Sequence, residues 1–515
     1  MTKISRRDFL KLGGLSSLSL SQPNFSWLPT MIDRDINKQN ILIIVFDTLS
    51  AENISLYGYA RETMPNLSRI ADRATVYHQH YAGGPFTTPG TASLLTGTYP
   101  WTHRAFGIQG KVIDKFIDKN IFSLFSDYYR FAYSHNPVAN TLLRQFSGSI
   151  EEYLKMENLF LNEKNYVSQF FENDFDTAWF AQRQIFNNTT NYGNSLFLPE
   201  LLKPLIERKY SLEQIKQKYE EKFPRGIPNM DNDNLFVIED AVDWMSHNLV
   251  KFMQPYLAYF HFYPPHAPYN TRIEFVDKFM GDGWEPVSKP KHFFGRFNPE
   301  THSHTRRIYD EFILYVDAEF GRLFKTLESR GILENTWVIF TSDHGELNER
   351  GIQGHVREPL FQGVVRIPLL IIEPGQTKRK DVYTNTSCVD LIPTLLHITG
   401  KTKPDWMEGE ILPPYRGENI NDDRSIYILQ ARSNRKTKPL TVATATMIKG
   451  DYKISKYFGY NKLIEKRNGN PLVELFDKQN DPEEINNLVN QEKDIAREML
   501  NNLEEKLAES DEPYH

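Results

Sequence analysis

The chain contains very little cysteine, a single residue at Cys388 among 515. No disulfide can form within it, so a small disulfide-stapled fold is excluded and the redox compartment has to be inferred from the N-terminus. Beyond the N-terminal segment, no run approaches the roughly 20 apolar residues that a membrane-spanning helix needs. The net charge is −6 with a pI of about 6.2. We therefore expect a mature chain that does not span a membrane and that has no nucleic-acid partner.

The first residues carry an export-like pattern. Arg6 and Arg7 are followed by Phe-Leu-Lys and then by the mildly apolar stretch 12–20. A twin arginine in this context resembles a Tat signal. We expect residues 1–35 to be that signal and the protein to be exported by the Tat route to the periplasm or the exterior. Residues 21–32 contain no clear small-x-small cleavage site, so cleavage and retention as an anchor both stay open.

Three continuous apolar runs, at 40–46, 256–262 and 336–341, have the β-branched and aromatic composition of strands that are covered on both faces. Between them lie helical patterns, of which 309–330 is the clearest, with apolar residues at helical spacing. Alternating strands and helices indicate an α/β fold with a central, mostly parallel sheet.

The length of 515 residues favours one large catalytic domain and a smaller lobe. Residues 148–235 have weak periodicity and predict a helical insertion, either a cover over the substrate site or a purely structural addition. After Gly400 the sequence predicts short strands around 425–429 and 443–454 and an amphipathic helix at about 482–507. The predicted units are a signal at 1–35, a catalytic domain at 39–400 that contains the insertion, and a C-terminal α+β subdomain at 401–515.

Each of the three strands is followed by polar side chains. Asp47 comes directly after the first, His266 after the second, and Asp343 and His344 after the third. Because ligands in parallel sheets bind beyond the carboxyl ends of the strands, we expect these groups to meet there. Carboxylate and imidazole are both metal ligands, so the pattern predicts a metal-dependent site.

A fourth element carries a candidate nucleophile. Thr87 lies two residues before Pro89, which suits the first turn of a helix. A helix N-terminus favours an oxyanion through its N–H groups and its dipole. A threonine hydroxyl is a weak nucleophile, but a metal ion held by Asp47, Asp343 and His344 would stabilise its alkoxide.

These motifs together resemble the sulfatase family of the alkaline phosphatase superfamily. The matching segments are 40–49 with 56–59, 87–97, 260–269, 341–346 with 354–355 and 366–369, 390–395, and 475–477 with 481–483. The resemblance runs from about 39 to 490 without the insertion. It implies an alkaline-phosphatase-like α/β/α sandwich, an ester hydrolase activity and an anionic ester substrate.

The resemblance also implies roles for single residues. Asp47, Thr87, Asp343 and His344 would hold one divalent metal ion, and Thr87 would also be the nucleophile. The imidazole of His344 favours Zn²⁺ or Mn²⁺, while Ca²⁺ or Mg²⁺ remain open.

Four further residues would face the substrate. His266 would contact the ester and protonate the leaving oxygen, and His355 would be a substrate ligand with a catalytic role. Asn136 stands where the family has a lysine, and either Asn136 or its neighbour His135 would bind the substrate.

The sequence departs from the family at the nucleophile. True sulfatases have Cys or Ser there, which is converted to formylglycine, and an arginine four residues later, where this chain has Thr91. Threonine cannot form the aldehyde because its β-carbon carries a methyl group. The leading hypothesis is a hydrolase of phosphate diesters or phosphonate monoesters. The alternatives are a sulfuric ester hydrolase and a non-catalytic protein that binds anions or glycans.

Overall fold

The structure is a computed structural model, and it describes residues 38–108, 110–161, 212–230, 234–417, 424–460 and 472–515. The export signal expected at 1–35 and most of the insertion expected at 148–235 lie outside these residues. Among the described residues, no helix has both the length and the apolar character needed to cross a membrane.

The described chain forms sixteen strands. They are β1 (Asn40–Phe46), β2 (Thr75–Tyr77), β3 (His80–Tyr81), β4 (Tyr129–Ser134), β5 (Glu152–Leu154), β6 (Tyr256–Phe262), β7 (Thr336–Thr341), β8 (Asn348–Glu349), β9 (Ile352–Gln353), β10 (Leu369–Ile372), β11 (Lys380–Val382), β12 (Thr386–Ser387), β13 (Ile426–Gln430), β14 (Ala443–Lys449), β15 (Tyr452–Phe458) and β16 (Leu472–Asp477). β1, β6 and β7 have the bounds that the apolar runs predicted.

The large sheet has eight strands in the order β11-β2-β10-β7-β1-β6-β4-β5. β1 lies between β6 and β7 and is parallel to both, with Val45 opposite His261 on one side and Thr341 on the other. β4 and β5 continue the parallel part, whereas β10 runs antiparallel to β7. The carboxyl ends of β1, β6 and β7 therefore meet at one edge, as the sequence predicted.

Eleven α-helices lie in the described residues. They are α1 (Pro65–Ala71), α2 (Thr87–Thr96), α3 (Pro100–His103), α4 (Ile121–Leu124), α5 (Pro137–Gln145), α6 (Leu212–Tyr219), α7 (Ile238–Asn248), α8 (His302–Ser329), α9 (Gln362–Val365), α10 (Leu391–Ile398) and α11 (Lys493–Asp511). α8 begins seven residues before the predicted start at 309, because its first two turns are mostly polar and do not show the apolar spacing.

Helices cover both faces of the sheet. On one face, Ile43 and Val45 of β1 pack with residues of α2 and α10, including Leu95 and Leu391. On the other face, side chains of α8 and α7 pack against the apolar residues of β1 that point the opposite way. Since alternate residues of a strand point to opposite faces, both sets of β1 side chains are buried. The protein is thus an α/β/α sandwich of the alkaline-phosphatase-like type.

A second sheet, antiparallel in the order β13-β14-β15-β16, lies in the C-terminal part, and α11 packs on it through Met499 and Leu503. The final helix begins at Lys493 rather than at 482 as predicted. Asn487 explains the difference: its Oδ1 accepts from the backbone of Leu475 and of Val489, which holds this stretch as a loop against β16.

The predicted domain boundary at 400 stays a prediction, since one apolar cluster includes side chains from both sides of it.

Candidate active site

The ends of β1 and β7 bring three ligand-type side chains together. Asp47 follows β1, and Asp343 and His344 follow β7. One atom from each lies within 4.8 Å of the others, and all three side chains are buried. The polar residues that the sequence placed at the ends of these two strands therefore converge on one point.

Hydrogen bonds hold together the two turns that follow β1 and β7 and carry these candidate ligands. Ser342 Oγ donates to the carbonyl oxygen of Phe46 (2.6 Å) and accepts from Leu49 N (3.0 Å). Tyr309 of α8 donates to the carbonyl oxygen of Thr48 (2.5 Å). Thr48 has a φ of 63°, an uncommon backbone conformation for a residue with a side chain. A threonine held in this conformation at the site is typical of a functional turn.

Thr87 is the first residue of α2, with its hydroxyl at the N-terminal end of that helix. Its Oγ1 lies 3.4 Å from His344 Nε2, and Asn136 Nδ2 donates to it at 3.3 Å. Thr88 Oγ1 instead donates to the carbonyl oxygen of Ile108 (2.8 Å). Of the two adjacent threonines, Thr87 is the one that faces the ligand cluster.

The helix of Thr87 packs tightly against the turn after β7. A Cβ on Gly90 would lie 2.3 Å from the carbonyl oxygen of Asp343, so this contact requires a glycine. One residue further on, Thr91 Oγ1 donates to Asp343 Oδ2 (3.4 Å). The threonine that stands in place of the family's arginine thus contacts a candidate ligand.

Asn136 has its amide oriented by a helix cap. Its Oδ1 accepts from the backbone of Val138 (2.6 Å) and Ala139 (3.2 Å) at the start of α5. The Nδ2 group therefore points the other way and donates to Asp47 Oδ2 and to Thr87 Oγ1. The amide positions the nucleophile and one carboxylate together.

His135, the other candidate at this position, lies elsewhere. Its ring is fully buried and packs on Phe236 at 4.7 Å between centroids and on Tyr133 at 5.1 Å. Neither ring nitrogen has a hydrogen-bond partner among the described residues. Burial lowers its pKa to about 3, so the ring is neutral. Of the two neighbours, Asn136 is the one that contacts the cluster.

His266 and His355 lie together beside His344. The ring centroids of His266 and His355 are 4.9 Å apart, and those of His355 and His344 are 4.5 Å apart. His266 Nδ1 donates to the carbonyl oxygen of Ala267 (2.7 Å), which leaves Nε2 as its proton-exchanging atom. His355 Nδ1 lies 3.2 Å from Glu346 Oε1. The structure therefore brings both predicted histidines to the site.

The pKa values show a site that is strongly charged and buried. For Asp47, burial favours a higher pKa, but the close approach of His344 Nε2 (3.3 Å) and the nearby rings of His266 and His261 hold its pKa well below the usual value. Burial and the nearby Asp47 raise the pKa of Asp343. Burial would lower the pKa of His344, yet the two carboxylates raise it to about 9.

The residues present fit a divalent cation. Asp47 Oδ1 is buried and has no hydrogen-bond partner among the described residues. His344 Nδ1 donates to the carbonyl oxygen of Gly345 (2.9 Å), so its Nε2 faces the two carboxylates and can bind a cation that displaces its proton. Two carboxylates offset the charge of one divalent ion, and an imidazole nitrogen suits Zn²⁺ or Mn²⁺. Asp47, Asp343 and His344 could hold the ion, with the Thr87 hydroxyl next to it.

Sequence reasoning missed His261. It lies on β6, is fully buried, and its Nε2 is 3.6 Å from Asp343 Oδ2. The signal was present, since a histidine within a strand of otherwise apolar residues needs a polar partner.

Comparisons with known proteins agree with this geometry. The family model described as Sulfatase matches residues 39–401, and the model described as N-sulphoglucosamine sulphohydrolase, C-terminal, matches residues 357–512. The chain is 23% identical to the uncharacterized sulfatase YidJ of Escherichia coli, over 88% of this chain and 84% of that protein. It is 24% identical to human arylsulfatase K, over 48% of this chain and 51% of that protein, so it spans about half the length of that relative.

Among solved structures, the phosphonate monoester hydrolase of Agrobacterium radiobacter is similar, with a TM-score of 0.63 and 18% identity, over 91% of this chain and 96% of that one. At that identity the likeness shows the fold. The Sulfatase model covers well over half of the chain. The chain therefore belongs to the sulfatase family, a group of ester hydrolases within the alkaline phosphatase superfamily.

Proposed function

We propose that the protein is a metal-dependent hydrolase that cleaves phosphate diesters or phosphonate monoesters with Thr87 as the nucleophile. The position of the Thr87 hydroxyl carries this proposal. It lies at the N-terminus of α2, 3.4 Å from His344 Nε2 and 3.3 Å from Asn136 Nδ2, beside the carboxylates of Asp47 and Asp343.

The choice of phosphorus over sulfur follows from threonine chemistry. Attack by the Thr87 hydroxyl at phosphorus expels the alcohol and leaves a Thr–O–P ester, which water can cleave at phosphorus. Formylglycine releases sulfate by breaking a carbon–oxygen bond, and a sulfated threonine lacks that exit. A threonine site is therefore better suited to turn over phosphorus esters.

The charge of the site favours a substrate with one negative charge. Of the histidines around Asp47, His344 has a pKa raised to about 9 by the two carboxylates, whereas burial lowers the pKa of His266 to about 4 and lowers that of His261. Asn136 and Thr91 are uncharged at positions where the family pattern has a lysine and an arginine. Diesters and phosphonate monoesters are monoanions, whereas a phosphate monoester is a dianion at neutral pH. We expect phosphate monoesters to be poor substrates.

The residues take distinct roles in this proposal. A divalent cation, when bound, polarises the ester and lowers the pKa of the attacking hydroxyl. Asn136 and the end of α2 orient Thr87. His266 keeps its Nδ1 hydrogen on the Ala267 carbonyl, so it can give a proton from Nε2 only as the doubly protonated ring. Burial lowers its pKa to about 4, and a bound anionic ester favours the protonated form. His355, held by Glu346, binds the substrate oxygens.

A sulfuric ester hydrolase is the second candidate. The family match and the names of the relatives favour it, since both YidJ and arylsulfatase K are called sulfatases. A non-catalytic binding protein is a third reading, and the intact set of Asp47, Asp343 and His344 counts against it.

One substrate panel separates these functions. The Mn²⁺- or Zn²⁺-loaded protein is given bis(4-nitrophenyl) phosphate, 4-nitrophenyl phenylphosphonate, 4-nitrophenyl phosphate and 4-nitrophenyl sulfate, which share one leaving group. We expect the diester or the phosphonate to give the highest kcat/KM. If the sulfate is the best substrate, the protein is a sulfatase, and if none is hydrolysed the catalytic proposal is wrong.

A further inference from the structure

His261 is a buried polar side chain to which the proposed chemistry gives no role. It lies near the end of β6, opposite Val45 of β1 and Ser134 of β4. Its side chain and that of Tyr259 point to the same face of the sheet, because they are two residues apart on a strand. This is the face that packs against α2. His261 is therefore placed between the sheet and the helix that carries the candidate nucleophile.

The two ring nitrogens of His261 have different surroundings. Nδ1 lies 3.0 Å from the hydroxyl oxygen of Tyr259. Nε2 lies 3.6 Å from Asp343 Oδ2 and has no hydrogen-bond partner among the described residues. A buried N–H without a partner destabilises the fold. This destabilisation is avoided when Nε2 and the carboxylate close the remaining distance.

We propose that His261 is a positioning residue that orients the Asp343 carboxylate toward the metal ion, and that Tyr259 fixes the tautomer that does so. The Tyr259 hydroxyl donates to Nδ1, so Nε2 carries the hydrogen and donates to Asp343 Oδ2. With the opposite tautomer, the Nε2 lone pair would face the carboxylate oxygen and the two would repel. The inference rests on the proposed function in one respect, namely that Asp343 binds a metal ion.

The contacts of Asp343 explain why it needs this partner. Its Oδ1 is held by the backbone, since it accepts from His344 N (3.0 Å) and from Thr48 N (3.4 Å). Its Oδ2 has a side-chain donor in Thr91 at 3.4 Å and the His261 Nε2 beside it. Donors to both oxygens fix the plane of the carboxylate, and with it the direction of the lone pair that faces the ion.

The geometry separates this role from that of a direct ligand. The atoms that lie within 4.8 Å of one another belong to Asp47, Asp343 and His344, and His261 is not among them. His344 Nε2 lies 3.3 Å from Asp47 Oδ1 and 3.5 Å from Asp343 Oδ2. His261 Nε2 lies 3.6 Å from Asp343 Oδ2. His261 thus acts on the ion through Asp343.

The test measures metal affinity, which does not require knowledge of the substrate. The metal-free full-length protein is titrated with Mn²⁺ and, in competition with a chromophoric chelator, with Zn²⁺. Three variants are compared. His261→Leu fills the space of the ring with an apolar side chain, and His261→Gln offers an amide N–H in place of Nε2–H. Tyr259→Phe removes the hydroxyl that bonds to Nδ1. His80→Gln is the control, because His80 is equally buried on β3 and bonds to Thr386.

We expect His261→Leu to weaken metal binding by about 10- to 100-fold. His261→Gln should restore most of that affinity, Tyr259→Phe should give a smaller loss, and His80→Gln should bind like the wild type. If His261→Leu does not fold, an unchanged affinity in Tyr259→Phe overturns the inference. Equal affinity of His261→Leu and the wild type, or equal losses in the Leu, Gln and His80 variants, also overturns it. If the wild type itself binds neither metal, the proposed function fails instead, so the two failures are distinguishable.

Discussion

Asn136 has two separable roles, and variants at this position test the geometry of the site more sharply than removal of the nucleophile does. Its Oδ1 caps α5, while its Nδ2 donates to Asp47 and to Thr87. Asn136→Ala removes both functions. Asn136→Ser keeps an oxygen that can cap the helix but has no amide donor, and Asn136→Asp keeps the cap while it adds a negative charge beside Asp47.

The expected magnitudes follow from these contacts. Loss of the cap in Asn136→Ala costs about 1 kcal/mol of stability, whereas Asn136→Ser should stay close to the wild type. Asn136→Asp should be less stable than Asn136→Ser, because it places a second buried carboxylate against Asp47. A hydrogen bond to a charged group contributes about 1.5–3 kcal/mol, so loss of the amide donor should lower kcat/KM by about 10- to 100-fold in the Ala and Ser variants. Asn136→Asp should be the slowest, because the added carboxylate repels both the anionic substrate and the developing alkoxide.

The assay combines urea unfolding with kcat/KM on 4-nitrophenyl phenylphosphonate for the three variants. The reasoning is refuted if Asn136→Ser keeps wild-type kcat/KM, or if Asn136→Asp is faster than Asn136→Ser. In the first case the amide does not act on the nucleophile. In the second case, an added negative charge beside Asp47 does not slow the reaction, which contradicts the argument from charge repulsion.

Three other predictions follow from the same site and from the N-terminus. Thr87→Ala should lose several orders of magnitude in rate, while Thr88→Ala, whose hydroxyl bonds to the Ile108 carbonyl, should lose little, and the reverse result would move the nucleophile by one residue. Asp343→Ala should fold but lose both bound metal, measured by elemental analysis, and activity, and full metal occupancy in that variant would disprove the ligand assignment. Replacement of both Arg6 and Arg7 by lysine should leave the protein in the cytoplasm on cell fractionation, and unchanged export would show that the N-terminal signal has been misidentified.

The sequence predicted the sheet well because its signals are local. The runs at 40–46, 256–262 and 336–341 are buried on both faces, and the structure has β1, β6 and β7 with these bounds. The last helix was placed too early, because the loop that delays it depends on bonds from Asn487 to distant backbone. That contact is between residues twelve positions apart and has no local pattern.

The sequence predicted the site from the polar residues at the strand ends. It could not predict which side chains from other elements contact those residues. Asp47, Asp343 and His344 converge because adjacent parallel strands end together. The amide of Asn136 could be assigned to the site, and the ring of His135 separated from it, only once the cap on α5 and the packing against Phe236 were known. Such side-chain directions depend on long-range packing.

The most direct test of the central claim is the identity of the residue that becomes covalently attached to the substrate. The metal-loaded protein is mixed with 4-nitrophenyl phenylphosphonate, quenched in acid during turnover and digested with trypsin. The peptide of interest runs from Ala74 to Arg104 and contains Thr87, Thr88 and Thr91 among its threonines. We predict a phenylphosphonyl group on Thr87, located by fragmentation, and its absence in Thr87→Ala. Attachment to another residue of this peptide, or the same adduct in Thr87→Ala, would contradict the account.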